Sequence, residues 1–123
     1  MNEEGKIENR DLKNRTKSFG LRVMNLIDAL PKTINGRAVA NQLVRSATSV
    51  GANYRAACRG RSRAEFNSKL RIVIEEADEC CYWLEIIIES KMIGEKRVEE
   101  LLKEANELTA IFVSAVKTSS AKS

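Results

Sequence analysis

At 123 residues the chain is one domain with room for one core. Its 43% hydrophobic and 31% charged residues, with only 5% aromatics and one proline, argue against a β-sandwich or barrel and for a helix-rich protein of net charge +4. No apolar run approaches the roughly 18–20 residues needed to cross a bilayer, and the acidic opening Met-Asn-Glu-Glu does not read as a signal peptide, so a cytoplasmic protein with no membrane role is expected.

Periodicity and punctuation predict four helices. The first runs from about Asn9 to Ala29, with Phe19, Val23, Leu26, Ile27 and Leu30 on one stripe, and Pro31 stops it. The loop that follows offers Asn35 as a cap. The second helix carries Val39, Leu43, Ala47, Val50, Tyr54 and Ala57 at steps of 4, 4, 3, 4 and 3, an a/d seam, and should end at Gly60 in a left-handed turn. Ser62-Arg-Ala-Glu65 is a capping box for the third helix. Its stripe is Phe66, Leu70, Val73, Ala77, Cys80/Cys81, Leu84 and Ile88, and Gly94 should close it. The fourth, from about Glu95 to Lys117, uses Val98, Leu101, Ala105, Leu108, Phe112 and Ala115. Short loops make neighbours antiparallel, so the expected fold is an all-α, up-down-up-down four-helix bundle over residues 9–118, between flexible ends at 1–8 and 119–123.

Catalysis finds little footing. Without histidine, the common Ser/His or Cys/His base is missing, and the Glu pairs at i,i+4 read as surface charge. No glycine-rich phosphate loop occurs, and no metal or cofactor is expected. Cys58, Cys80 and Cys81 have no CxxC spacing; they read as reduced, buried small hydrophobes.

Two surface features stand out. The run Ser46-Ala-Thr-Ser-Val-Gly-Ala-Asn53 carries no charge, so no side of the second helix there wears a Lys/Glu coat. Self-association follows as an expectation. The outward residues Arg45, Ser49, Ala52, Asn53 and Ala56 would meet Ile72, Glu76, Glu79, Trp83 and Ile86 of the third helix in or beside a subunit contact. The plainer alternative has Trp83 capping the core beside solvated glutamates.

The second feature is charge polarity. Residues 1–71 hold 15 Lys/Arg and 6 Asp/Glu, whereas residues 72–107 hold 4 and 11. Arg55, Arg59, Arg61, Arg63, Lys69 and Arg71 surround the second turn, and Arg10, Lys13, Arg15, Lys17 and Arg22 stud the first helix. Arginine forks suit phosphate, so RNA or DNA binding by charge and shape stands beside the alternative of a solvated surface. No aromatics interleave with these cations to stack bases.

The signature Asn41-Gln-Leu-Val-Arg-Ser-Ala-Thr-Ser-Val-Gly-Ala-Asn53, the Arg/Gly/Ser turn, Phe66, and Glu79 with Trp83-Leu-Glu85 resemble the bacterial four-helix-bundle family of 23S ribosomal RNA intervening-sequence proteins over residues 16–116. The resemblance implies a ring, typically a homopentamer. It further implies kinship with accessory proteins of diversity-generating retroelements, which bind nucleic acid and partner a reverse transcriptase. Gln42, Arg45, Ser46, Ser49, Asn53 and Glu85 become structural or interfacial positions by the same resemblance. This chain departs from the family after Asn53, where Tyr54-Arg-Ala-Ala-Cys-Arg-Gly60 replaces an acid-containing continuation and leaves a more basic surface. The expectation is a non-enzymatic, ring-forming nucleic-acid binder, with a pure protein-interaction scaffold as the alternative.

Overall fold

A computed structural model describes residues 3–122, with side chains from Asp11 to Lys122. Four helices make up the chain: α1 (Glu3–Ile27), α2 (Ile34–Cys58), α3 (Arg63–Ser90) and α4 (Glu95–Ala121). No strand occurs among the described residues. Each helix packs on its chain neighbours, α1 also meets α4 along a looser seam, and the diagonal pairs make no close backbone approach. Cross-helix contacts set the directions. Gly20 faces Ala47 and Thr48 while Gly51, further along α2, faces Thr16, earlier in α1. Cys81 Sγ donates to Asn106 Oδ1 (3.4 Å), whereas Asn67, earlier in α3, donates to Ser120, later in α4 (3.5 Å). Neighbours are antiparallel, and the four-helix bundle is the one the sequence predicts.

The a/d seam of α2 is buried at all six predicted positions. Val98, Leu101, Ala105, Leu108 and Phe112 of α4 are buried too, and Ala115 is half-buried. In α3 the predicted Ile88 is only half-buried, and Ile87 takes its place in the core. The stripe 70, 73, 77, 80, 84, 87 alternates steps of 3 and 4, so a step of 3 after Leu84 keeps phase with a 3.6-residue turn better than a step of 4.

Helix ends differ more. α1 begins at Glu3, six residues ahead of the expected Asn9, and α4 runs to Ala121, past Lys117. Thr33, not Asn35, caps α2: its Oγ1 accepts from the Gly36 N–H at 3.1 Å. At α3 the capping box forms with a shift. The Glu65 N–H donates to Ser62 Oγ (3.1 Å), and the Glu65 carboxylate accepts from the Arg61 N–H (2.6 Å), one residue before the cap. α2 ends at Cys58, and no described glycine has positive φ, so Gly60 supplies no left-handed turn. The left-handed position belongs to Lys91 (φ 57°), which closes α3 in a Schellman motif with Met92 N–H donating to Ile87 C=O at 3.3 Å and Lys91 N–H to Ile88 C=O at 3.1 Å. Gly94 instead stands as the N-cap of α4.

Candidate interaction surfaces

The uncharged run of α2 is used first inside the protomer. Ala47 and Val50 point into the core, Ser46 is buried towards α3, and Thr48 and Gly51 lie against α1. Gly51 sits so close to Thr16 that an added Cβ would lie 3.5 Å from its Oγ1. Of the predicted interface residues, Ala52 is exposed, while Ser49, Asn53 and Ala56 are half-buried, with the Asn53 amide donating back to Ser49 C=O at 2.9 Å.

Arg45 reaches across to α3 within the protomer. Its Nη2 donates to Glu79 Oε1 at 2.6 Å, and the Trp83 indole N–H donates to the same oxygen at 3.4 Å. Arg45 Nη1 is 3.5 Å from Glu76 Oε2, within ion-pair reach, yet no hydrogen bond meets that buried oxygen. Trp83 is half-buried against the core, as is Ile86 beside it, and Ile72, a few turns earlier in α3, is half-buried at the surface. Tyr82 packs edge-on to Trp83 at 5.0 Å. Burial pushes the Glu79 carboxyl up, but hydrogen bonds from Ser46, Trp83 and Arg45, with the Arg45 charge, outweigh it and hold Glu79 below its ordinary 4.5. A lowered carboxylate stabilises the fold fully above the unfolded value and loses that contribution as pH falls through the folded one. Wild-type stability should therefore fall with acid from about pH 4.5 downward, and Glu79→Gln should flatten that part of the curve. Urea unfolding across a pH series checks this; equal acid slopes for both proteins would remove Glu79 from the account.

The basic residues sort into tied and untied sets. Arg15 is tied: its guanidinium donates to Glu104 (2.7 and 2.8 Å) and Glu107 (2.8 Å) across the α1–α4 seam. The Glu104 hydrogen bond dominates in raising its already high pKa. For Arg15 to serve as the phosphate ligand the sequence suggests, this bidentate internal pair would have to open first. Arg63 donates to the Lys122 carbonyl at the end of α4. The Arg10 side chain lies outside the described residues. Lys13, Lys17, Arg55, Arg59, Arg61, Lys69 and Arg71 are exposed, and none of their side chains pairs with a carboxylate among the described residues.

Lys13, Lys17, Arg55 and Arg59 line a groove of about 520 Å³ between α1 and α2. Its floor is Gly20, Thr48, Gly51 and Ala52, and its far end carries Leu21 and Met24, 56% and 47% exposed. Sequence reading missed Leu21 and Met24. The available signal was their phase, since both fall off the Phe19–Val23–Leu26 stripe yet are apolar. Burial pushes the Cys80 thiol far up and the Cys81 thiol up, so both are inert, while Cys58 is half-buried. No cluster of potential metal ligands occurs among the described residues.

An all-α bundle with a split charged surface, an internal Arg–Glu–Trp network and a basic groove defines a four-helix-bundle protein whose distinctive chemistry is on its outside. The chain belongs to the family of the 23S rRNA-intervening sequence protein, which matches residues 8–114. It is similar to a protein of unknown function from the S23 ribosomal protein family of Bacteroides thetaiotaomicron VPI-5482, whose crystal structure is known at 1.70 Å. The two are 33% identical with a TM-score of 0.81, over 89% of this chain and 97% of that one. No curated protein matches the chain.

Proposed function

We propose that this protein is a non-enzymatic, self-associating bundle that binds nucleic acid, RNA or DNA, through its untied cations. The observation that carries the reading is the contrast between Arg15 and Arg45, each held by two glutamates, and the exposed Arg55, Arg59, Arg61, Lys69 and Arg71 around the α2–α3 turn, whose side chains pair with none. Uncompensated cations at this density attract phosphates and release counterions. A cytoplasmic setting, a pentameric ring and service beside a nucleic-acid enzyme such as a reverse transcriptase are further parts of the proposal. No described helix is long and apolar enough to cross a membrane. A scaffold with protein partners alone is the second reading, favoured by the exposed Leu21, Met24 and Tyr82.

Fluorescence anisotropy with labelled single-stranded and duplex RNA, repeated across salt concentrations, tests the proposal. Affinity should fall steeply with salt, and Arg61→Ala/Lys69→Ala/Arg71→Ala should reduce the log–log slope by roughly 2–3, about one per lost phosphate contact. Binding that ignores salt, or a triple variant with an unchanged slope, would overturn it.

A further inference from the structure

The α1 side of the groove reads, in order, Lys13, Lys17, Leu21, Met24: two cations followed by two apolar side chains, all exposed. The outer face of α3 reads Glu75, Glu79, Tyr82, Ile86: two acids followed by an aromatic and an aliphatic residue. Glu75 is exposed and Tyr82 is 56% exposed, while Ile86 is half-buried, as is Glu79, which already accepts from Arg45 and Trp83 inside its own copy and so would share its charge with the partner's lysine. Each series spans eleven steps, about 16 Å of helix. The two stripes match in length, in order and in opposite charge. Between them they hold three of the four large apolar side chains most exposed among the described residues.

We infer that the α1–α2 groove of one copy receives the outer face of α3 from a second copy, with Lys13 and Lys17 meeting Glu75 and Glu79, and Leu21 and Met24 meeting Tyr82 and Ile86. This rests on the self-association proposed above and names the contact. The floor of Gly20, Thr48, Gly51 and Ala52 lets a helix approach closely, since no long side chain stands in its way. Arg55 and Arg59 line the α2 side beside the two lysines, adding to the positive end. The match cannot be satisfied within one copy, because α1 and α3 are diagonal in the bundle. Groove and stripe are different surfaces, so the contact is head-to-tail, and each copy offers one of each. Repetition closes a ring or extends a filament. Arg61 and Lys69 stay outside the groove, free for phosphate.

A head-to-tail contact has a signature that a symmetric one lacks. Leu21→Asp disables the groove and leaves the stripe; Tyr82→Asp disables the stripe and leaves the groove. Multi-angle light scattering at micromolar concentration should give a multimer for wild type and a 13.8 kDa particle for each variant alone. An equimolar mixture of the two variants should form a dimer of twice that mass, because one intact groove meets one intact stripe. Circular dichroism confirms that both variants fold, as substitutions at exposed positions should allow. A multimer that survives both substitutions overturns the groove contact while leaving self-association standing. If Leu21→Asp instead lowers RNA affinity with no change of mass, the groove is a nucleic-acid site and the contact is overturned. Variants that fall apart alone yet stay monomeric when mixed also overturn it. A monomeric wild type overturns self-association itself.

Discussion

Gly36→Ala should destabilise the protein by about 3 kcal/mol or more, at the upper end of what overpacking costs. Gly36 opens α2 beneath the turn that leaves α1, and it is buried. A Cβ built there runs into the Pro31 carbonyl oxygen, with the carbonyl carbon at 2.9 Å and Thr33 Oγ1 at 3.2 Å. The obstacle is backbone on one side and the capping hydroxyl of the same helix on the other, so neither can swing away as a flexible side chain would. Ordinarily, replacing a helical glycine by alanine gains about 0.4–1 kcal/mol by restricting the unfolded chain. That gain should be overwhelmed here. The comparison with Gly94 isolates the cause. Nothing lies within 4 Å of a Cβ at Gly94, and Gly94→Ser at this N-cap should be neutral or slightly stabilising. Urea unfolding followed by helical circular dichroism, at one fixed protomer concentration because association shifts apparent stability, measures both. A Gly36→Ala midpoint within error of wild type would mean that the α1–α2 turn is free to rearrange.

The fold was legible because one physical rule, apolar period against a charged background, runs the length of the chain. The seam of α2 illustrates it: six residues picked by spacing, six buried. Where two residues could do the same local job, spacing did not decide between them. Thr33 and Asn35 are both good caps, and only the register of α2 against the α1 turn selects Thr33. The left-handed end of α3 falls on Lys91, although glycine is the residue that usually fills that place, because the helix stops at Ser90, four residues before Gly94. Ion pairs were the least legible. Arg15 is 89 positions from Glu104 in the chain, and no local pattern joins them. Arg45 and Glu79 fared better, since one lay beside the uncharged run and the other on the stripe expected to face it. For the surfaces, composition exposed the charge split, but it could not say which cations a glutamate had already taken.

That sorting bears on how the two surfaces divide their roles. Tied cations hold the bundle: Arg15 bridges the seam where α1 and α4 meet least, and Arg45 joins α2 to α3. Untied cations cluster elsewhere, on the groove and around the α2–α3 turn. Most carboxylates lie on α3 and α4, and none of them pairs with the side chain of an untied cation among the described residues. A charge distribution of this kind leaves attraction unspent in the single chain, and attraction of that sort is directed at other molecules.

The second large effect concerns the core beneath that seam. Phe112→Ala should cost about 3–5 kcal/mol, the range for removing a fully buried aromatic ring. Phe112 is completely enclosed, and its ring packs against Tyr54 at 5.2 Å between centroids, tilted by 38°. Truncation removes the dispersion contacts of both rings. Beside the site lies an open groove of about 710 Å³, whose walls include Leu12, Tyr54, Phe66, Ile111 and Ala115 as well as Phe112. The looseness of this seam sets where in the range the value falls. Were α1 able to settle onto the space vacated by the ring, the cost would sit at the low end. The Arg15 clamp on Glu104 and Glu107 opposes such settling, since it fixes the distance between α1 and α4. Combining Phe112→Ala with Arg15→Ala therefore tests whether the clamp resists collapse. A double variant that loses less than the sum of the two single losses shows that releasing the clamp lets the seam close. Strict additivity would show that the space stays open whether or not Arg15 is present. Urea unfolding of the three variants, compared at equal concentration, distinguishes the two outcomes.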